Sequence, residues 1–232
     1  MVRDARYDRF VSLHLSQDPQ ADALLSKQPL ALLIGMVLDQ QVPLEWAFAG
    51  PAELKRRLGG RLDAREIASM DPEELVFAFC AKPALHRYPA SMARRVHELC
   101  RVLTDQYAGK AQSLWNEAHS GADLLKRLKE LPGFGDQKAR IFVALLGKQL
   151  GVRPEGWEKV SVPFSEPGST RSVADIVDAD SLDRVRAFKQ QMKKQMKQQD
   201  EQVKSRSKRS QPAKRQPVGT PRTRASTRAA GR

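Results

Sequence analysis

Apolar residues in this chain recur mainly at helical spacing. Asp18-Pro19 has the form of an N-cap followed by proline at the first helical position, and predicts a helix through Leu24 and Leu25. Pro29 opens the next segment, Leu30 to Gln41, whose apolar residues leave no polar face and predict burial. Gly50-Pro51 predicts the start of a short amphipathic helix ending at Gly59-Gly60. Asp63 and Asp71-Pro72 are placed as N-caps of the next two. Met92, Val96, Leu99 and Val102 mark a helix from Pro89 to Tyr107. Ser120-Gly-Ala-Asp starts another, with Leu124, Leu125, Leu128 and Leu131 on one face. After a sharp break at Pro132-Gly133-Phe134-Gly135, Ala139, Phe142, Val143 and Leu146 again follow helical spacing. Residues 151–172 are rich in Gly, Pro and Ser and predict a loop. A final helix from about Leu182 carries Val185, Phe188, Met192 and Met196, with the two methionines expected to cap the core. Alternation appears only in Val11 to Ser16, which predicts one strand. With roughly nine or ten short helices and at most that strand, the predicted class is all-α.

The pattern divides the chain into a polar N-terminal segment 1–17, a helical domain 18–196 and a tail 197–232. In the tail apolar residues nearly vanish, which predicts disorder. Charge follows the same division. Of the formal net charge of +13, residues 189–232 supply +12, with 14 Lys/Arg and 2 Asp/Glu. The body is close to neutral, and its basic extension is suited to phosphate-rich partners.

Other classes are excluded by simple counts. The longest apolar run, Leu30 to Leu38, is half the ~18 residues a membrane span needs. The N-terminus lacks the apolar region of a secretory signal, so a cytoplasmic, nucleoid-associated protein without membrane contact is expected. Cys80 and Cys100 are too few for a disulfide framework or a four-cysteine metal site, and both are expected to be buried thiols.

The strongest chemical signal is Leu131-Pro-Gly-Phe-Gly-Asp-Gln-Lys-Ala139, within a predicted hairpin of two helices at 120–149. Gly133 and Gly135 permit a tight turn and leave no Cβ in the way. The second helix then begins with unpaired N–H groups at its positive end, which suits a phosphate oxygen. Phe134 would anchor the turn, while Lys138 and Arg140 on the first helical turn would add charge. Such a device grips a nucleic-acid backbone without reading its sequence. The alternative is a plain helical hairpin whose glycines only make the turn.

This nine-residue string, with Leu32-Leu-Ile-Gly-Met-Val-Leu-Asp-Gln-Gln-Val-Pro43 and the order of elements, resembles the helix–hairpin–helix (HhH-GPD) superfamily of base-excision DNA glycosylases. The resemblance covers roughly residues 20–190. It implies two helical subdomains with a cleft, and an enzyme that flips a damaged base from duplex DNA and cuts its N-glycosidic bond. It also implies that Gln41 enters the duplex near the extruded base, and that a monovalent cation sits on the hairpin carbonyls. In lysine-bearing members the nucleophile stands two residues past the second hairpin glycine. Here that position is Gln137, and Lys138 comes one residue later. One residue turns a helical side chain by about 100°, so Lys138 is expected to face phosphate and Schiff-base lyase chemistry is not expected. The family's carboxylate falls at Glu155, with Glu158 and Asp175 as alternatives or all three as ordinary surface acids. No cysteine follows Cys100, so an iron–sulfur cluster is not expected.

Around these motifs, His86 and Tyr88 are read as a polar loop that would alternatively line a base pocket. Trp46 and Phe48, just after Gln41, are read as core, with a face toward the extruded base as the alternative. The function expected is that of a monomeric, monofunctional DNA glycosylase with no cofactor beyond the cation. The alternatives are a non-catalytic, damage-sensing DNA-binding protein of the same fold and, more remotely, an RNA-associated protein bound through its tail.

Overall fold

A computed structural model of the chain describes residues 12–209, with the backbone alone at 200 and 202–209. Among the described residues there are eleven α-helices, one 3-10 turn and no strand. The chain divides into two units between Gln190 and Gln191. The first holds α1 (Pro19–Lys27), α2 (Pro29–Leu38), α3 (Leu44–Arg57), α4 (Ala64–Ser69), α5 (Pro72–Cys80), α6 (Pro89–Tyr107), α7 (Ser113–Asn116), α8 (Gly121–Lys129), α9 (Asp136–Gln149), α10 (Trp157–Val160) and the 3-10 turn Val173–Asp175. It also contains the start of α11 (Ala179–Arg209). The described part of the second unit is the helical stretch 191–209.

In the first unit α1 to α6 pack on one another, and α7 to α10 pack together with the 3-10 turn. One continuous apolar core runs through both groups. α2 lies at its centre, and every residue from Leu30 to Leu38 is buried, as an element with no polar face requires. The predicted caps form. Asp18, Asp63, Asp71 and Ser120 each accept a backbone N–H from the first turn of the helix they precede.

Several boundaries differ from the sequence expectation. No strand forms at residues 12–16. Leu13 and Leu15 are both buried, and among the described residues no second strand satisfies the backbone. Asp22 of α1 instead accepts the N–H groups of Leu15 and Ser16, and Ser26 accepts that of Leu13. Helix α3 begins at Leu44, with Pro51 inside it rather than at its start. Burial of Ala47, Phe48 and Leu54 on one face outweighs the hydrogen bond that proline removes. Residues 157–160 form α10 within the predicted loop, where Trp157 enters a gap left by two glycines. A methyl built on Gly147 would lie 2.3 Å from the Trp157 ring, and one on Gly121 would lie 2.6 Å from its backbone. Cys100 is buried as expected, and burial pushes its thiol pKa up, but Cys80 at the end of α5 is exposed. Met192 and Met196 are exposed rather than core-capping. α11 continues to Arg209, beyond residue 197 where the tail was placed, and residues 210–232 lie outside the described region.

Candidate nucleic-acid interface

Helices α8 and α9 form the predicted hairpin. Leu124, Leu128 and Leu131 bury one face of α8 and its exit, and Phe134 plugs the turn edge-on against Phe142, with ring centroids 5.8 Å apart. The two glycines have different reasons to be there. Gly133 has φ +84°, a conformation that L side chains avoid. A methyl on it would also lie 2.6 Å from Cδ of Arg95. Gly135 has φ −83° and ψ 175°, ordinary extended backbone, and a methyl on it would meet nothing within 4 Å. The fold therefore does not require a glycine at 135. Gly135 is the N-cap of α9 and supplies no side-chain cap, so the first-turn N–H groups of a 14-residue helix are left facing outward.

The basic residues near this turn are engaged within the protein. Arg140 donates to Asp136 at 2.6 Å and to the Val160 carbonyl at 2.8 Å, and Lys129 donates to Asp136 at 2.9 Å. Arg140, then Lys129, hold the Asp136 carboxyl below the usual range. Arg140 is thus partly neutralised, not a free cation as the sequence suggested. The expected direction of Lys138 is also corrected. Its ammonium points inward and donates to the carbonyls of Met36 at 2.5 Å and Val37 at 3.3 Å, in the last turn of α2. That is the negative end of α2, where a cation fits the dipole. Burial pulls the Lys138 pKa down to about 8, helped by the positive charge of Arg95 and opposed by Asp39. Gln137, one position earlier, is exposed.

Lys138 brings the hairpin against the glutamine loop that follows α2. Here α2 stops at Leu38, short of the predicted Gln41. Gln41 is exposed and sits in the left-handed region at φ 59°. Its side-chain oxygen accepts from the Tyr88 hydroxyl at 3.4 Å. Gln40 is held at both ends. Its side-chain oxygen accepts from Nη1 of Arg95 at 2.8 Å, and its carbonyl lies 3.0 Å from Nε2 of His86. Nδ1 of His86 accepts the Tyr88 N–H at 3.0 Å, so the proton belongs on Nε2 and the ring is neutral. Burial, with Lys138 and Arg95 nearby, pushes the His86 pKa down in agreement with that. The buried His86 is therefore not an ordinary polar loop residue. Trp46 and Tyr88 flank it with ring centroids at 6.3 Å and 6.1 Å, and both are partly exposed, Tyr88 in contact with Gln41. Trp46 is accordingly not core, whereas Phe48 is fully buried.

A family model described as HhH-GPD superfamily base excision DNA repair protein matches residues 34–206, three quarters of the chain. The match includes the glutamine loop, both hairpin helices and the turn between them. This chain belongs to the HhH-GPD superfamily. No curated protein and no solved structure matches it. The superfamily assignment makes base excision repair the setting and DNA the partner.

Within this HhH-GPD framework the predicted acids are scattered. Glu155 is exposed, and its carbonyl accepts the N–H of Gly121 at 2.7 Å. Gly121 begins α8 while the hairpin turn follows its end, so about 12 Å of helix separate Glu155 from Gly133 and Gly135. Glu158 is exposed, and its carbonyl receives the Ser165 hydroxyl. Asp175 closes a capping box with Ser172 and binds Lys148 at 2.6 Å, a structural assignment for a nearly inaccessible carboxylate. The acid that does lie beside the glutamines is Asp39, which sequence reasoning passed over. It stands at the C-cap of α2, 3.9 Å from Nζ of Lys189, and its charge acts on Lys138. An anion at a helix C-terminus opposes the dipole, and this local conflict was legible in the Leu38-Asp39-Gln40 sequence. Arg95 was also missed, because nothing in the pattern of α6 links it to residues fifty-five positions earlier.

Proposed function

We propose that this HhH-GPD protein binds duplex DNA with the α8–α9 hairpin and releases a damaged base as a monomeric, monofunctional glycosylase. Gly135 is the observation that carries the binding step. Its conformation and surroundings accept a side chain, so the opening matters to something that approaches from outside. A backbone phosphate on the exposed N–H groups of α9 fits that opening. A monovalent cation on the hairpin belongs to the same proposal. The Leu131 carbonyl accepts one N–H, from Phe134 at 3.1 Å, and retains a second lone pair for it.

The base-release step needs a wedge, a surface for the extruded base and a carboxylate. Exposed Gln41 serves as the wedge, and the exposed faces of Trp46 and Tyr88 offer stacking. Asp39, rather than Glu155, is assigned the carboxylate that stabilises positive charge on the sugar or activates water. Lys138 is bound to the α2 carbonyls and is not assigned a covalent step.

The test is incubation of the full-length chain with duplexes carrying uracil, alkylated, oxidised or mismatched bases, followed by alkali. Strand cleavage at one lesion only after alkali is the expected result, lost in Asp39→Asn and kept in Glu155→Gln. Cleavage without alkali would overturn the monofunctional assignment. Intact duplex binding without cleavage at any lesion would establish instead the second reading, a damage-sensing protein without catalysis. One observation favours that reading: Lys189 and Lys138 offset the charge of Asp39 in the free protein.

A further inference from the structure

Arg95 touches both halves of the interface. Its methylenes lie over Gly133 in the hairpin turn, where an added methyl would sit 2.6 Å from Cδ and 3.3 Å from Cγ. From there the guanidinium reaches the glutamine loop and donates to the Gln40 side-chain oxygen at 2.8 Å. Three arginines nearby have carboxylate partners: Arg94 has Glu73, Arg140 has Asp136, and Arg186 has Glu45 and Asp183, while Arg87 lies over the Tyr88 ring. The hydrogen-bond partner of Arg95 among the described residues is a neutral amide. Its positive charge also reaches Lys138 and His86 and disfavours protonation of both.

A guanidinium has five N–H donors, and a phosphate offers it an opposite charge and paired acceptor oxygens in the geometry of its fork, neither of which the neutral Gln40 amide supplies. A phosphate brought to the hairpin would therefore compete well against Gln40 for this side chain. We propose that Arg95 is a DNA-phosphate ligand between the hairpin turn and the glutamine loop, and that its capture of a backbone phosphate releases the Gln40 side chain. The proposal rests on the reading of the hairpin as a DNA grip.

In the free protein Gln40 is fixed twice, by Arg95 on its side chain and by His86 on its main chain. Phosphate capture removes the first restraint and leaves the second. The loop keeps its path while Gln40 becomes available to the duplex beside Gln41. Grip on the backbone thus comes before disturbance of the base stack.

Duplex binding by the full-length chain, measured from low to moderate salt, tests this with Arg95→Gln, Arg95→Lys, Gln40→Ala and the Arg95→Gln/Gln40→Ala double variant. Arg95→Gln should bind about tenfold more weakly, with the log–log salt slope reduced by about 0.9, the value of one phosphate contact. Arg95→Lys should restore the slope while recovering only part of the affinity, because the fork is lost. Gln40→Ala should tighten binding in the wild-type background, where it removes the competitor for Arg95, and should not tighten it in Arg95→Gln. Unchanged affinity and slope in Arg95→Gln, or in Arg95→Ala if that folds better, would overturn the phosphate contact. Strictly additive effects of the two substitutions would overturn the release of Gln40. Wild-type chain that fails to bind duplex, or Gly135→Ala that binds normally, would remove the hairpin reading itself and this inference with it.

Discussion

At Lys138 burial and charge oppose each other. The folded chain holds this amine at a pKa of about 8, below its ordinary 10.5. Between these values the unfolded chain keeps a proton that the folded chain has released. The contribution of Lys138 to stability therefore rises as pH climbs from about 8 toward 10.5 and levels off above, since the slope follows the excess of protons on the unfolded state. Urea denaturation from pH 7 to 10.5 should show this rise in the stability of wild type relative to Lys138→Met, because the buried Cys100 thiol, whose raised pKa acts in the opposite direction above its ordinary value, is common to both. Parallel curves would mean that Lys138 does not titrate as described. The two hairpin glycines give a second comparison at the same scale. Gly133→Ala meets a left-handed φ and the Arg95 side chain, and should cost about 1–2 kcal/mol of stability. Gly135→Ala gives a poorer N-cap, at a cost of about 0.5–1 kcal/mol, but stiffens the unfolded chain by a similar amount, so stability should change little while duplex binding weakens about tenfold or more. A thermal melt beside a binding titration separates them. Equal loss of stability in both would make the turn purely structural.

Among the elements, helices were legible wherever one face stayed apolar and a cap residue stood in front. Asp18-Pro19, Asp71-Pro72 and Ser120 mark true starts because the side-chain bond to a first-turn N–H is local. α3 and α10 were obscured because distant contacts decide them. Gly50-Pro51 has the form of a helix start, but Phe48 and Leu54 bury on one face and carry the helix through. Trp157 seats α10 in a gap lined by Gly121 and Gly147, residues well separated from it in sequence. The interface divides the same way. The hairpin turn, Gln41 and the displacement of the lysine from position 137 to 138 could be read from the sequence. The inward turn of Lys138 and the clamp of His86 and Arg95 on Gln40 could not, since each joins separate helices. Glu155 was placed by counting along the chain, and counting does not reveal which end of α8 it meets.

Over the whole molecule, charge and shape are divided between parts of the chain. The body up to residue 188 has a net charge near +1 and offers oriented amides, while 189–232 carries +12. Residues 210–232 alone hold six Lys/Arg and no acid. Removing them should flatten the salt dependence of duplex binding while leaving the preference of the body for one lesion over intact DNA unchanged. Loss of that preference on truncation would show that the tail takes part in recognition.

The joint made by Lys138 also bears on how the protein acquires its function in time. The bonds that assemble the interface span 46, 55 and 102 residues, from His86, Arg95 and Lys138 to the segment around Gln40. The helices on either side close through much shorter spans, which form early, while contacts at long separation arrive late. During refolding from urea, helicity should return before competence to bind duplex. The delay between far-ultraviolet circular dichroism and DNA binding should disappear if both report a single docking event. A polypeptide caught in that interval would have its helices without the ability to hold DNA.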